Sequence, residues 1–352
     1  MSITEDNDQP HRVLLVSVPR TASNLLLKIL NVPNQPKVLT NPKSGYFFYD
    51  AFISAGRNRR LEKPLEEWTT EAKNETKTAF QLGFDELEEY STRARAENKI
   101  MFAKEHAFWF INPSFFTATD SAENPEHMKE FSVSLPERYG PSQTFSANNK
   151  TVLPDEYLRT WQIAFIIRHP ALAWASMYRA MLKLTKVGFV EDNDIKGASI
   201  ANLTMKWTRA LFDWCLEQPG NSVAPLVIDA NDLIHNPGAV VKFCEKAGLD
   251  PAFLQFEWNG SEKKSENWTP ERSNMGNPRE QELHKIAASI MLSTLEDSTG
   301  IVKDKAPASV DIDAEVTKWR VEFGDEPAEM LEKATRDSMP DYEYLKANSI
   351  TV

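Results

Sequence analysis

Three short segments of the chain place charged or proton-transferring side chains directly after apolar runs that suit buried strands. An arginine or lysine at such a place can neutralise an anion, and an imidazole, which titrates near neutral pH, can accept a proton. Because parallel strands end at one edge of a sheet, these side chains would face the same ligand. They are Arg20 in the first segment, Lys104 and His106 in the second, and Arg168 with Ser176 in the third.

The first segment is the turn at residues 19–24, between a predicted strand at 13–18 and a predicted helix at 23–30. Backbone N–H groups and the helix dipole attract anions to a helix N-terminus. Arg20 adds a full charge, and short polar side chains there can either cap the helix or bind phosphate oxygens. From these residues alone, a phosphate site and an ordinary capped helix are equally good interpretations. The residues concerned are Thr21, Ala22, Ser23, Asn24 and Leu25.

The turn also lacks a feature that would indicate nucleotide hydrolysis. No G-x-x-x-x-G-K-[ST] motif is present, so the lysine and the magnesium-binding hydroxyl of ATP and GTP hydrolases are missing from their expected places. Hydrolysis of ATP or GTP is therefore disfavoured, and a kinase is a weaker alternative that would show magnesium dependence.

Strands alternate with helices along the whole chain. Predicted strands lie at residues 13–18, 99–104, 161–167 and 223–228; predicted helices lie at 23–30, 61–78, 84–98, 170–184, 199–217, 236–247 and 279–295. Such alternation is typical of a mainly parallel sheet covered by helices on both faces. The sequence thus predicts an α/β fold with three layers, α/β/α.

Two stretches stand apart from this alternation. Residues 117–154 are polar and punctuated by proline, which predicts a long insertion that could act as a lid. Residues after 300 are acidic and predict an appendage of short helices. The predicted organisation is one α/β domain at 1–299, with the insertion inside it, and a helical appendage at 300–352 packed on the same domain.

Composition limits the partners and the compartment. A net charge of −11 argues against a nucleic-acid surface, which needs a dense basic patch. Cys215 and Cys244 are too few for a disulfide framework and are expected to be buried free thiols. No apolar run reaches the length of a membrane span, and the acidic start is no signal peptide, so a cytoplasmic protein is expected.

The first turn resembles a motif of a known enzyme family. It reads V-S-V-P-R-T-A-S-N-L-L, similar to the 5′-phosphosulfate loop of sulfotransferases, whose commoner form is Y-P-K-S-G-T-T-W. These enzymes have a P-loop-like nucleotide-binding fold and transfer a sulfuryl group from 3′-phosphoadenosine 5′-phosphosulfate (PAPS) to a hydroxyl or amine. By position, Arg20 matches the family's cation on the 5′-phosphate, and residues 21–25 match its amide cradle. Ala22 replaces the usual glycine, and its methyl group restricts the backbone.

A second segment, I-I-R-H-P continuing to Ser176, is similar to the family's V-R-N-P-x-D-x-x-x-S-Y-Y. The arginine and serine of that motif bind the 3′-phosphate, so the resemblance implies this role for Arg168 and Ser176. The family's late R-K-G phosphate loop has no clean counterpart in this chain. Arg272 lies in the corresponding region and is the candidate that would partly replace it.

A third segment, M-F-A-K-E-H, resembles the F-x-K-T-H strand end of cytosolic sulfotransferases. In that family the histidine takes the acceptor's proton and the lysine contacts the transferring group, which implies these roles for His106 and Lys104. The residue types suit the chemistry, since a cation offsets charge that grows on the bridging oxygen. Glu105 replaces the usual threonine and could raise the basicity of the histidine or act as an alternative base.

The resemblance therefore implies a PAPS-dependent sulfotransferase that requires no metal and releases 3′,5′-ADP. His106 would deprotonate the acceptor hydroxyl while Arg20 and Lys104 stabilise the departing phosphate. Two alternatives stay open. One is a binding protein of the same fold that has lost transfer, and the other is an enzyme that uses sulfation to drive elimination or cyclisation.

The expected acceptor is a lipophilic small molecule with a hydroxyl group, for example one of secondary metabolism. This expectation rests on aromatic side chains that seem more numerous than a core needs, and a basic groove for a polysaccharide is hard to place on an acidic chain. The aromatic residues are Tyr46, Phe47, Phe48, Phe80, Phe84, Phe108, Trp109, Phe110 and Phe116.

Overall fold

A computed structural model describes residues 12–116, 125–190, 201–221, 223–258, 278–296 and 298–351. Apolar runs form a five-stranded sheet in the order β2-β3-β1-β4-β5, and all neighbouring strands are parallel. The strands are β1 Arg12–Ser17, β2 Val38–Leu39, β3 Ile100–His106, β4 Gln162–Ile167 and β5 Leu226–Asp229. Four of them lie where the sequence predicts strands, and the two-residue β2 was not predicted.

Helices connect the strands. They are α1 Ser23–Leu30, α2 Tyr49–Gly56, α3 Thr70–Ala96, α4 Pro125–Glu130, α5 Asp155–Leu158, α6 Pro170–Lys186, α7 Lys206–Leu216, α8 Ala230–His235, α9 Pro237–Lys246, α10 Pro278–Glu296, α11 Ile312–Phe323 and α12 Asp325–Ala347. Within the described ranges, none of the helices is long and apolar enough to cross a membrane.

Alternate residues of each strand pack into two separate hydrophobic clusters. On one face, Leu14 and Val16 of β1 pack with α2, α3, α6, α7 and the C-terminal helices. On the other face, Val13 and Leu15 pack with α1 and α9, where Cys244 is a buried free thiol. Helices thus cover both faces of the sheet, and the predicted three-layer α/β/α fold is confirmed.

Helix α3 is one continuous helix, whereas the sequence predicts two helices separated near Gly83. A Cβ atom at Gly83 would lie 2.6 Å from the carbonyl oxygen of Phe47, closer than any real contact. The glycine therefore allows the segment before α2 to lie against α3. It acts as a packing residue here and does not end the helix.

Part of the predicted insertion lies against α3. Tyr139 donates to Glu88 at 2.9 Å and accepts from Arg12 at 2.9 Å, and the amide of Val133 bonds to the carbonyl of Val152 at 3.1 Å. Arg12 is the first residue of β1, so these contacts lie at the amino end of the sheet. Residues 117–124 are outside the described part, and a lid function for the insertion stays a prediction.

The C-terminal region does not consist of short helices, because α12 is 23 residues long. It packs on α6, α7 and β5. The hydroxyl of Tyr342 donates to Asp229 Oδ2 at 2.8 Å, and the amide of Ile350 bonds to the carbonyl of Val227 at 2.9 Å. The end of the chain is therefore bonded to the end of β5.

Candidate active site

The turn between β1 and α1 adopts a backbone that favours glycine at two positions. Arg20 has a φ of 70° and Ala22 a φ of 67°, both in the left-handed region. The hydroxyl of Thr21 donates to the carbonyl of Val18 at 2.7 Å and so holds the turn together. Helix α1 has no side-chain cap hydrogen bond in this structure. Its first N–H groups are therefore not capped by a side chain, and their role as an amide cradle stays a prediction.

Arg20 reaches across the carboxyl ends of the strands. Its Nε donates to Ser176 Oγ of α6 at 3.0 Å, and its Nη1 donates to the carbonyl of Met291 in α10 at 2.5 Å. Burial lowers the pKa of Arg20. The predicted 5′-phosphate residue and one of the predicted 3′-phosphate residues are thus hydrogen-bonded partners.

Arg168 lies beside Arg20 at the end of β4. Its Nη1 donates to the carbonyl of Arg20 at 3.0 Å, and its buried Nε has no hydrogen-bond partner in the described part of the chain. Burial, together with the charge of Arg20, lowers the pKa of Arg168 to about 10, so the guanidinium keeps its charge at neutral pH. Two cations therefore stand side by side, an arrangement that an anion would stabilise.

Lys104 is completely buried near the end of β3. Its Nζ donates to Asn24 Oδ1 of α1 at 2.5 Å and lies 4.5 Å from the ring centroid of Tyr46. The backbone of Gly45 lies against the same strand, with its carbonyl accepting from the amide of Lys104 at 2.9 Å. A Cβ atom at Gly45, whose φ is 87°, would lie 2.9 Å from that amide. Glycine is needed there for the turn that brings Tyr46 to the strand end.

His106 is the last residue of β3 and is held on both ring nitrogens. Its Nδ1 lies 2.9 Å from Ser17 Oγ, and its Nε2 lies 3.1 Å from the hydroxyl of Tyr46. Trp109 packs edge-on against the imidazole with the ring centroids 4.5 Å apart. The ring orientation is therefore fixed, which a proton-transfer group requires.

Glu105 points to the opposite face of β3, because side chains alternate along a strand. Its Oε1 accepts from the amides of Phe47 and Phe48 at 2.6 and 3.1 Å. Burial raises the pKa of Glu105 to about 8. The two backbone hydrogen bonds lower this pKa, but their effect is smaller than that of burial. The idea that Glu105 assists or replaces His106 as the base is therefore wrong.

Arg20, Arg168 and His106 line one cavity of about 640 Å³ at the carboxyl ends of the strands, and the buried Lys104 lies behind Asn24 of that lining. From the sheet side it is lined by Arg20, Asn24, Tyr46, His106, Arg168 and Ser176. Helices α6 and α10 supply apolar walls, and residues between 302 and 318 supply the outer wall. The C-terminal region therefore forms part of the cavity, which its acidic composition did not indicate.

The outer wall is bonded to the strand ends. The carbonyls of residues 305–307 accept one hydrogen bond each. The donors are Arg168 Nη2, His235 Nε2 and Asn231 Nδ2, at 2.7, 2.7 and 3.1 Å. One guanidinium thus contacts both the first turn and the wall.

Most of the aromatic residues that suggested a lipophilic acceptor do not line this cavity. Of the nine, Tyr46 is the one that lines it among the described residues, while Phe47, Phe48, Phe80, Phe84 and Phe110 are buried in the core. They pack α2 and α3 onto the sheet, so their large number is explained by the hydrophobic core and gives no information about the acceptor.

The structure brings together Arg20, the turn residues 21–25, Lys104, His106, Arg168 and Ser176, all of which the sequence singled out. Arg272 lies outside the described residues. Sequence reasoning missed Ser17 as a partner of His106. The available signal was that Ser17 is a polar residue in the apolar run at 13–18, two positions before the turn.

An α/β protein with a cationic cavity at the ends of parallel strands is the class that this geometry defines. Two curated relatives are each named sulfotransferase ppzF. The one from Metarhizium majus (strain ARSEF 297) is 34% identical over 362 residues, covering 99% of each chain. The one from Metarhizium rileyi (strain RCEF 4871) is 34% identical over 352 residues, covering 97% of each chain. The chain therefore belongs to the sulfotransferase family.

Two further comparisons add no argument. No family model matches the chain. A solved sulfotransferase domain of the Synechococcus PCC 7002 olefin synthase aligns with 93% of this chain and 99% of that one, with 14% identity and a TM-score of 0.37. That likeness is too distant to bear on the fold.

Proposed function

We propose that the protein transfers a sulfuryl group from PAPS to a hydroxyl of a lipophilic small molecule. The observation that carries this proposal is the convergence of Arg20, Arg168 and His106 on one cavity, with Lys104 buried behind Asn24 of its lining. Three cations suit a donor with two phosphate groups, and an imidazole suits an acceptor that must lose a proton.

The charges of the cavity fit such a donor. Arg20 and Arg168 make hydrogen bonds to a serine hydroxyl and to backbone carbonyls, and neither forms an ion pair with a carboxylate within the described ranges. The buried Nε of Arg168 also leaves a donor available. Phosphate oxygens would satisfy this donor and reduce the repulsion between the two guanidinium groups.

Each side chain has a defined task in the proposed reaction. Residues 21–25 bind the 5′-phosphosulfate through amide groups, and Arg20 adds a charge there. Arg168 and Ser176 bind the 3′-phosphate. PAPS supplies an electrophilic sulfuryl group when bound. Lys104 stabilises charge on the departing phosphate oxygen, and His106 acts as the base for the acceptor hydroxyl, which attacks sulfur in line.

The acceptor's lipophilic character is supported by the apolar walls of the cavity. Helices α6 and α10 contribute Leu172, Ala175, Met291, Leu292 and Leu295. Apolar walls that face converging polar groups are typical of small-molecule sites. An alcohol with an apolar body would bury that body there and direct its hydroxyl toward the strand ends.

Nucleotide binding is tested by thermal unfolding with 3′,5′-ADP, with ATP plus magnesium, and with NAD. A hundredfold excess over the dissociation constant stabilises a protein by about 2.7 kcal/mol, so a specific ligand raises Tm clearly. We expect stabilisation by 3′,5′-ADP and little effect of the other two. Absence of a shift with 3′,5′-ADP would contradict the proposal.

Catalysis is tested with His106→Ala, measured as 3′,5′-ADP release from PAPS in the presence of a panel of alcohols and phenols. We expect turnover to be lost while 3′,5′-ADP still binds and Tm stays close to that of the wild type. His284→Ala is the matched control, because His284 bonds to Tyr49 and does not line the cavity. A His106→Ala variant that keeps most of its rate would refute the base assignment.

The same assay separates the alternatives. A wild-type protein that binds 3′,5′-ADP but turns over no PAPS would be a non-catalytic binding protein. Turnover that yields free sulfate together with a desulfated, altered acceptor would identify sulfation followed by elimination or cyclisation. Mass spectrometry of the products distinguishes these outcomes from a stable sulfate ester.

A further inference from the structure

The hydroxyl of Tyr46 meets His106 where both side chains line the cavity. Its oxygen is 3.1 Å from His106 Nε2, the ring nitrogen opposite the one that meets Ser17. Both Tyr46 and His106 line the cavity. An acceptor hydroxyl that reaches this part of the cavity would therefore find Nε2 already in contact with the phenolic oxygen.

The hydrogen bonds around His106 have a preferred direction. A serine hydroxyl carries one hydrogen. Ser17 Oγ lies 3.2 Å from the carbonyl of Glu105 and 2.9 Å from His106 Nδ1, so when it donates to the carbonyl it accepts from Nδ1. Nδ1 then carries the imidazole proton and Nε2 carries the lone pair. In that neutral tautomer Nε2 can only accept, and the Tyr46 hydroxyl is in place to donate to it.

From this directed chain we infer that Tyr46 is a catalytic residue, a proton relay between the acceptor hydroxyl and His106. The inference rests on the proposed function and deepens its account of the base. Tyr46 Oη takes the proton of the acceptor hydroxyl as its own proton passes to His106 Nε2. The imidazolium that results is stabilised by donation from Nδ1 to Ser17.

Atoms and electrons balance in this step. The acceptor oxygen forms a bond to sulfur, and the bond between sulfur and the 5′-phosphate oxygen breaks with its electron pair going to that oxygen. The products are a sulfate ester, 3′,5′-ADP and protonated His106, which returns its proton to solvent. PAPS and the acceptor are the only reactants.

Lys104 is placed to support the relay. Its Nζ lies 4.5 Å from the ring centroid of Tyr46. A cation over an aromatic ring is attracted to its face, and it also stabilises negative charge that develops on the phenolic oxygen during transfer. The tilted packing of Trp109 on the Tyr46 ring, with centroids 4.6 Å apart, holds the phenol in this place.

The direction of the chain can be measured without any acceptor. Nitrogen NMR of histidine side chains reports which ring nitrogen carries the proton, and His106→Gln identifies the resonances of His106 by difference. We expect neutral His106 to be protonated at Nδ1. A ring protonated at Nε2 would donate to Tyr46, could not take its proton, and would overturn the inference.

The relay itself is tested with Tyr46→Phe, which keeps the ring and removes the hydroxyl. We expect kcat for PAPS turnover with phenol as the probe acceptor to fall by about 100-fold, as for loss of a proton-transfer group. With 4-nitrophenol, whose hydroxyl is more acidic, the loss should be much smaller. Tyr49→Phe is the control, because it removes a hydroxyl bonded to His284 and packs on the same Trp109.

Each contrary outcome has a distinct meaning. A Tyr46→Phe enzyme with the wild-type rate refutes the relay, since Nε2 would then accept the proton directly. An equal loss with both probes indicates a structural role and also refutes it. If His106→Ala abolishes turnover but Tyr46→Phe does not, the relay is refuted and the proposed function stands. If His106→Ala keeps its rate, the assignment of His106 as the base is refuted, and the relay with it.

Discussion

The two ends of the cavity differ in how their charged groups are held. At one end, the half-buried Arg20 and Arg168 bond to Ser176 and to the carbonyls of Met291 and Lys305. At the other end, Lys104 and His106 are almost completely buried and bond to fixed neighbours from α1, β1 and the turn before α2.

This difference indicates that the arginines act mainly in ligand binding and that the groups at the end of β3 act mainly in the chemical step. The arginines must exchange neutral partners for phosphate oxygens when a ligand enters, so their contribution appears in affinity. The groups at the end of β3 already have their orientation, and preoriented groups need little reorganisation during the reaction. We therefore expect substitutions at the first end to change Kd and substitutions at the second to change kcat.

The sharpest test of this contrast is Lys104→Met, which replaces a buried ammonium with an apolar chain of similar length. We expect kcat to fall roughly 100- to 1,000-fold, as for loss of one stabilising donor. The free energy of unfolding should change little, because replacing a buried charge with an apolar group is often neutral. Calorimetry with 3′,5′-ADP and steady-state kinetics measure both quantities.

Lys28→Met is the matched control for Lys104→Met, since Lys28 lies in α1 but contacts Trp258 and does not line the cavity. It should keep the wild-type kcat. If Lys104→Met lost as much affinity for 3′,5′-ADP as it lost in kcat, the proposed division between a binding end and a catalytic end would be wrong.

Next in size is the effect of Arg168→Met on nucleotide affinity. Hydrogen bonds to charged groups contribute about 1.5–3 kcal/mol, so Kd for 3′,5′-ADP should rise roughly 10- to 100-fold. The affinity for 5′-AMP, which lacks the 3′-phosphate, should change much less. Arg20→Met should weaken both ligands. Equal losses for both ligands in Arg168→Met would mean that the two phosphate sites are not separate.

Glu105 offers a test on the face of β3 opposite His106. Its pKa is about 8 in the folded chain against an ordinary value of 4.5, because the carboxyl is buried. The folded state therefore binds the extra proton between these values, and the contribution of Glu105 to the free energy of unfolding should fall as pH rises from about 4.5 to about 8, while His169, whose pKa burial lowers to about 4, contributes with the opposite sign at the acidic end. The slope should approach about 1 kcal/mol per pH unit.

Chemical denaturation across this pH range, compared between the wild type and Glu105→Gln, measures the effect. The variant should lose most of the slope, because its amide does not titrate. The exposed Glu89→Gln in α3 controls for the change in net charge and should keep the wild-type slope. An unchanged slope in Glu105→Gln would show that burial of this carboxyl does not control the pH dependence.

The smallest expected effect is that of Ala22→Gly in the turn before α1. An alanine in the left-handed region costs roughly 1–2 kcal/mol, and glycine removes this strain. Glycine also raises the conformational entropy of the unfolded chain, which offsets part of the gain. We therefore expect Ala22→Gly to stabilise the fold by about 0.5–1 kcal/mol. Ala334→Gly in α12, where the backbone is helical, should destabilise by about 1 kcal/mol. If urea denaturation gave both variants a change in the free energy of unfolding of the same sign, the backbone strain at Ala22 would be contradicted.

Much of this site could be predicted from local sequence, because its parts lie directly after apolar strands. The turn at residues 19–24 and the ends of β3 and β4 were identifiable from an apolar run followed by a cation. The side of β3 that Glu105 occupies was also available, since strand side chains alternate. The prediction gave Glu105 a role beside His106 because the two residues are adjacent in sequence, although adjacent residues of a strand lie on opposite faces.

Other features depend on contacts between distant residues and left no local signal. Gly83 interrupts a helical pattern, and only the position of the Phe47 carbonyl explains why it does not end α3. The wall at residues 302–318 belongs to the region after residue 300, which as a whole is acidic and was predicted to be an appendage. Its place in the cavity comes from bonds to Arg168, His235 and Asn231, which no spacing indicates.

That outer wall has a consequence for how the protein is made. Ribosomes synthesise residues 302–318 after all five strands, so a nascent chain carries the arginine end of the cavity before its wall exists. The wall is followed by α12, whose Tyr342 bonds to Asp229 at the end of β5. The half-finished site lacks that wall, and the cavity is completed only after α12 has left the ribosome and docked.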